Sequence, residues 1–390
     1  MKILITGISV RAMTESAVHS GYPVIALDAF GDRDLTELTE SYSLHRDFRV
    51  AYSSEALFKA SQKLSFDAVA YNSNLENYPE ILECFSDNHA ILGNSPKVVA
   101  SVRNWPGLLG NLKSAGFPAP ETIFSGKTGP VDSERRWLQK PVLSGGGHGI
   151  CFYNPQSQSR SGNHCGFCAP GFMLQEYIPG KPCSASIVAN GKDCTLLGIS
   201  EQLVGIKNFG SQGFHYCGNL LPIPETRAAD TGRLILNRVR RLAEFLTRDY
   251  GLVGLNGIDF ILNGDQIYFT EVNPRYTASM EIIEIAYELP MFHLHVQSIL
   301  DGKLPEEFNL EAELKLGKTF GKGYIFAERD VILPDTGEWS VRGIHDIPLS
   351  GEKIRKGGPV CTILAGRSTV EETLSEMFRQ ARKLKEELYG

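Results

Sequence analysis

The stretch DFILNGDQIYFTEVNPRY, residues 259–276, holds residues able to do chemistry together: Asp259, Glu271, Asn273 and Arg275. Apolar residues on either side of Asn263-Gly264-Asp265 predict a β-hairpin. The start of its first strand lies opposite the end of its second, which makes Asp259 and Glu271 cross-strand neighbours. Two carboxylates so placed repel, so a cation sits between them or one of them holds a proton. Carboxylate and amide oxygens are hard ligands that suit Mg²⁺ rather than zinc, and Mg²⁺ shares its remaining positions with water and phosphate. A phosphate site is therefore expected elsewhere in the chain.

WLQKPVLSGGGHGI, residues 137–150, supplies a candidate. It reads as a strand ending at Lys140-Pro141, a loop of Ser144, Gly145, Gly146, Gly147, His148 and Gly149, and a return strand. Successive glycines let backbone N–H groups converge on phosphate oxygens, and Lys140 adds a point charge. A P-loop places its lysine after the glycines, so this is not a Walker motif; a glycine-rich hairpin without a ligand is the bland alternative. FMLQEYIPGKP, residues 172–182, then reads as an apolar strand that becomes a hinge at Pro179-Gly180. Unpaired backbone groups at such a hinge can imitate a base pair against an adenine edge. Many strands end at Pro-Gly; the place of this one between the glycine loop and the carboxylates makes it informative.

The elements that must position these residues are legible in outline. ILIT, PVIALD, FDAVAY and AILG alternate with helical stretches over residues 1 to about 100, as in a parallel α/β sheet. Gly7 follows the first strand and Asp28 ends the second, which invites a nicotinamide-dinucleotide reading, but Ser9 stands where the second glycine of that fingerprint belongs. The loop YNSNLENYP, with Asn74, Glu76 and Asn77, follows the third of these strands, at the sheet edge where ligands bind, and is read equally as substrate-facing or solvated. His215 reads as a packed or solvated histidine. Near the end, Ser368-x-x-Glu371 predicts a capping box, and Val370, Leu374, Met377, Ala381, Leu384 and Leu388 form the stripe of a docked helix.

Composition narrows the class. The 390 residues are enough for two or three domains, and a net charge of −6 argues against a general nucleic-acid binder. No apolar run reaches ~18 residues, so no membrane span is expected. The opening MKILITG suits a buried strand better than a secretory signal, which points to a cytoplasmic protein. The 8 cysteines are scattered. His164, Cys165 and Cys168 have ligand-like spacing, yet a structural zinc site wants four ligands and no second pair follows, so they read as loop residues.

The order of these parts resembles the ATP-grasp superfamily of ATP-dependent carboxylate ligases over nearly the whole chain: α/β region, Lys-Pro-Gly-rich hairpin, Gln-Glu-Tyr-Ile hinge, long β segment, then Asp259 and Glu-x-Asn-Pro-Arg. The stretch EKIRKGGPVCTILAGRSTVEETLSEMFRQARKL is similar to the end of its biotin-carboxylase-related branch, and the overall look is that of the archaeal and methylotroph-type ligases. The resemblance implies a Rossmann-like N-terminal region at 1–103, an ATP-grasp fold with a glycine-rich lid at 104–310 (lid about 120–190), and a C-terminal α+β region at 311–390. It implies ATP with Mg²⁺ or Mn²⁺, phosphate contacts from Lys140 under a lid of Ser144 to Gly149, and an adenine site at Gln175, Glu176, Tyr177 and Ile178. Asp259, Glu271 and Asn273 would hold the metal, and Arg275 and Lys140 would act on the transferring phosphoryl group. A small carboxylate would become an acyl phosphate and then an amide, in a protein that assembles as a homodimer. The alternatives are a bicarbonate-using carboxylase, a non-catalytic ATP-binding protein and, last, a nicotinamide oxidoreductase. Two departures stand out: Trp105 occupies the place of a nucleotide-binding lysine, so that one phosphate or adenine contact is missing or Arg103 replaces it, and Pro182 occupies that of a ribose-binding glutamate.

Overall fold

The structure is a computed structural model that describes residues 1–125, 132, 134–154, 171–315 and 317–390. His164, Cys165 and Cys168 lie outside the described residues.

The fold is mixed α/β. Strands Ile3–Thr6, Val24–Asp28, Ser41–Ser43, Ala68–Tyr71 and Ala90–Ile91 form a parallel sheet in the order third, second, first, fourth, fifth. Its central strands are buried throughout, which explains their nearly unbroken apolar sequences. Strand order reverses between the first and fourth strands, where loops leave the sheet on diverging paths and a crevice forms. The loops after those two strands meet there: Ile8 N–H donates to the Ser73 carbonyl at 2.5 Å, and Asn72 Nδ2 to the Ser9 carbonyl at 3.1 Å.

The remaining large sheets are antiparallel. One has four strands, in the order Thr122–Phe124, Phe172–Glu176, Trp137–Pro141, Cys151–Phe152. The other has eight, in the order Gln266–Asn273, Val253–Asn263, Lys181–Asn190, Cys194–Val204, Tyr216–Leu221, Thr319–Phe326, Pro359–Arg367, Ile344–His345. Helix Ala229–Tyr250 lays Ile235, Leu236, Val239, Leu242 and Leu246 against Ile187, Ile199, Ile258 and Phe269 of that sheet. Their spacing is the apolar stripe of an amphipathic helix.

Helix Val370–Tyr389 covers Phe209, Ile325 and Ile363 with Met377, Ala381, Leu384 and Leu388, as its stripe predicts. Its cap is shifted by one residue from the expected Ser368 and Glu371. Thr369 is the N-cap, accepting from Glu372 N–H at 3.1 Å, because its extended backbone aims the hydroxyl at the free amides of the first turn.

A buried ionic network ties distant parts of the chain together. The Arg11 side chain, only 2% exposed, meets Glu15 at 2.8 Å and Asp346 at 3.0 Å and also contacts Glu281, which Lys322 reaches from the eight-stranded sheet. Burial alone would raise the Glu281 carboxyl, but Arg11 and Lys322 hold it well below the usual carboxylate range. No helix among the described residues is long and apolar enough to cross a membrane.

Candidate active site

The expected hairpin is present, and its geometry has a feature that alternation did not reveal. From Asn263 opposite Gln266 to Phe260 opposite Phe269 the pairing is regular, but it shifts between Asp259 and Phe260. Regular pairing would set Asp259 against Thr270; the bulge moves Glu271 into that place. Asn273 follows opposite Gly257, so Asp259, Glu271 and Asn273 share one end of the hairpin.

Each acidic group there is compensated. Asp259 Oδ2 accepts from Asn273 Nδ2 at 3.1 Å, and Glu271 Oε1 from Arg103 Nη1 at 2.7 Å. Burial, then the nearby Glu271 charge, push the Asp259 carboxyl up to about 6, against the Ser184 and Gln202 side chains that bond to it. Arg275 Nη2 donates to Asn273 Oδ1 at 3.2 Å and pairs with Glu76 at 2.5 Å. Burial opposes the Arg275 charge, but Glu76 more than offsets it and holds the guanidinium above its ordinary pKa. Two carboxylates and an amide fit a hard divalent cation such as Mg²⁺. Asn273 turns its amide nitrogen to Asp259 and its oxygen to Arg275, so it would have to rotate that amide to ligate with Asp259 and Glu271.

Lys140 comes to this group from the four-stranded sheet. Its ammonium donates to Gln175 Oε1 at 2.9 Å, and Gln175 Nε2 donates to Thr122 Oγ1 at 3.3 Å, so Gln175 orients Lys140 across adjacent strands. Burial lowers the Lys140 pKa, and the charges of Glu271 and then Asp259 oppose that shift. At the hinge the free backbone is narrower than expected. Glu176 N–H donates to Glu121 O and Tyr177 N–H to Arg136 O, each at 2.8 Å, and the Glu176 carboxylate meets Arg135 at 3.2 Å. The N–H and C=O of Ile178 make no hydrogen bond among the described residues.

Gly146, Gly147 and Gly149 have left-handed φ of 62°, 75° and 76°. The loop lies on the segment before strand Tyr216–Leu221: Gly146 O accepts from Tyr216 N–H at 3.0 Å, and the rings of His148 and His215 stand 4.6 Å apart. Ser144 is half-buried and Gly145 is exposed. Beside the hinge, Phe152 meets Tyr177 and Phe214, each at 5.3 Å, and Arg136 lies over Phe152 at 4.1 Å and Tyr177 at 4.9 Å. Sequence reading missed Arg136, Phe152 and Phe214 because nothing in their spacing announces a shared shelf.

The N-terminal sheet closes the group from the other side. Tyr71 OH and Asn94 Nδ2 donate to Pro274 O at 3.1 and 3.0 Å, and Glu76 brings its carboxylate to Arg275. Trp105 is a core residue, whereas Arg103 reaches Glu271. Pro182 sits in strand Lys181–Asn190, in register with Ile261.

Comparison with known proteins agrees with this architecture. A sequence model of the ATP-grasp domain matches residues 107–279. An uncharacterized protein of Methanocaldococcus jannaschii is 24% identical over 391 residues, covering 97% of this chain and 92% of that protein. The fold is similar to Rhizobium etli pyruvate carboxylase, with a TM-score of 0.72 at 15% identity; 97% of this chain aligns but spans only 37% of that one. The biotin carboxylase domain of Hydrogenobacter thermophilus 2-oxoglutarate carboxylase, solved with MgADP, ADP and bicarbonate, gives a TM-score of 0.68 at 15% identity, covering 98% of this chain and 89% of that one. N5-carboxyaminoimidazole ribonucleotide synthetase of Thermus thermophilus gives 0.66 at 18% identity, with 98% of both chains covered. With its parallel N-terminal sheet leading into the antiparallel sheets that frame the carboxylate hairpin, the chain carries an ATP-grasp domain over residues 107–279.

Proposed function

We propose that this protein is an ATP- and Mg²⁺-dependent ligase that activates a small carboxylate as an acyl phosphate and joins it to an amine, releasing ADP and phosphate. The observation that carries this reading is the convergence of Lys140, Arg103 and Arg275 on the Asp259–Glu271 pair. Phosphoryl transfer asks a protein mainly for positioning and charge neutralisation, and these groups are suited to both.

In this reading Asp259, Glu271 and Asn273 hold Mg²⁺, which when bound neutralises phosphate charge. Lys140, fixed by Gln175, contacts the phosphates, and Ile178 offers its free backbone groups to the adenine edge next to Gln175, Glu176 and Tyr177. Arg275 steadies charge on the transferring group. Ser144 to Gly149 cover the phosphates and exclude water, which would otherwise hydrolyse an acyl phosphate. The nucleotide and magnesium in the similar 2-oxoglutarate carboxylase domain support the cofactor assignment, and its description as a dimer supports a homodimer here.

Hydroxylamine tests the proposal. With an accepted acid, ATP and Mg²⁺, it should capture the acyl phosphate as a hydroxamate, with one ADP and one phosphate for each. ATP consumption with an accepted acid, and no hydroxamate at high hydroxylamine, would remove the acyl-phosphate mechanism. ATP turnover stimulated only by bicarbonate would identify a carboxylating enzyme instead.

A further inference from the structure

Glu76 lies outside the hairpin, yet it is joined to both ends of the carboxylate group. It is 1% exposed, on the loop that follows strand Ala68–Tyr71 at the crevice of the parallel sheet. Its Oε1 pairs with Arg275 Nη2 at 2.5 Å and lies 3.6 Å from Arg103 Nη2; its backbone carbonyl accepts from Arg103 Nε at 3.3 Å. Those arginines hold Asn273 and Glu271. Around this contact Glu76 Oε2, Arg103 Nη2 and Arg275 Nε are buried without a hydrogen-bond partner among the described residues. Burial would raise the Glu76 carboxyl, but Arg275 and then Arg103 hold it below its ordinary value, so it stays charged.

The charges in this group balance: Glu76, Asp259 and Glu271 face Lys140, Arg103 and Arg275. Without the Glu76 charge, the cations would outnumber the acids beside a place that must take a divalent cation. Among the described residues Arg103 would then be left with Glu271 as its sole carboxylate, and would compete with a metal for it.

We infer that Glu76 is a positioning residue for the metal site: it shares Arg275 with Asn273 and Arg103 with Glu271, and so weakens the hold of each arginine on those side chains enough for Mg²⁺ to displace it. The inference rests on the metal role proposed above for Asp259, Glu271 and Asn273. It makes the loop after strand Ala68–Tyr71 part of the metal-binding apparatus, although that loop donates no ligand.

The test is calorimetric titration of the full-length protein with ADP at graded Mg²⁺ concentrations, with melting curves on each variant. Glu76→Gln keeps the shape and removes the charge. It should raise the Mg²⁺ concentration needed for half-maximal nucleotide binding about tenfold or more, with binding recovering as Mg²⁺ is increased. Glu76→Asp should give a smaller shift. Adding Arg103→Gln to Glu76→Gln should reverse much of the loss, because it removes the competing cation; a purely structural role would make the two defects add. If Glu76→Gln fails to fold, the comparison of Glu76→Asp with Glu76→Asp/Arg103→Gln decides by the same criterion. A Mg²⁺ requirement unchanged from wild type in folded variants overturns this inference alone. Failure of the wild-type protein to bind MgADP overturns the reading of the metal site and this inference with it.

Discussion

Gly147 lies so close to Phe214 that a Cβ built on it would stand 1.9 Å from the Phe214 carbonyl oxygen. Its φ of 75° adds a second penalty of about 1–2 kcal/mol for any L-residue. Gly147→Ala should therefore lift the glycine loop off the segment beneath it, lower the ligation rate tenfold or more and increase ADP release without product. Gly145→Ala is the control, since nothing lies within 4 Å of a Cβ there. Equal coupling of ATP use to product in the two variants would argue that the loop is not a lid.

Lys140 and Gln175 form a hydrogen-bonded pair, and in the proposed reaction the first would act and the second would aim it. Lys140→Met should cost about 3 kcal/mol of transition-state stabilisation, in line with removal of a single electrostatic donor. Gln175→Leu should cost less, about tenfold in rate, because the ammonium stays but loses its 2.9 Å anchor. Single-turnover ADP formation separates the two effects, and a Gln175→Leu defect as large as that of Lys140→Met would contradict the assigned roles.

How far the sequence was legible depends on the range of the interaction. Apolar runs such as VIALD and AVAY announce buried parallel strands, because burial on both faces leaves little room for polar residues. Strand Ser41–Ser43 escaped notice because it is a polar strand at the sheet edge. The Asp259–Glu271 pairing was expected from hairpin symmetry alone, whereas the structure reaches it through a bulge that skips Thr270. Glu76 was visible as a loop residue at the right edge of the sheet, but its tie to Arg275 joins residues far apart in the chain and leaves no local pattern. The hinge shows the converse: sequence suggested several free backbone groups, and neighbouring strands had taken those of Glu176 and Tyr177.

Asp259 gives a prediction in which stability and function move apart. Burial and Glu271 raise its carboxyl to about 6, above the unfolded value of about 3.9. The folded state therefore holds the extra proton, and the stability this contributes is present below about pH 4 and lost as pH rises through 6. Asp259→Asn, which never ionises, should melt above the wild type at pH 8, with the difference shrinking below pH 6. The same variant should lose the upward shift in melting temperature produced by MgADP. A destabilised variant that still responds to MgADP would sink both halves of this expectation.

His295 bridges two sheets through both ring nitrogens, and that geometry sets the sign of its pH effect. Nδ1 accepts from Leu255 N–H at 2.9 Å, which leaves Nε2 to donate to the Leu92 carbonyl at 3.0 Å, so the buried ring is neutral. Protonation would turn a second N–H against that of Leu255, and burial lowers the pKa to about 4. The unfolded chain takes up this proton near pH 6.5, so the unfolded state binds more protons between those values. Stability is then full above about 6.5 and is lost as pH falls toward 4, by at most about 3 kcal/mol. Asp28 and Glu284, both raised to about 7 by burial, act in the opposite sense over the same range, so the wild-type curve alone does not isolate the histidine. His295→Gln does, because an amide can accept from Leu255 and donate to Leu92 without titrating. Whatever its stability at pH 7.5, this variant should lose less melting temperature than the wild type between pH 6.5 and 4.5. Parallel melting curves for the two proteins across that interval would mean that His295 is not held neutral by this contact.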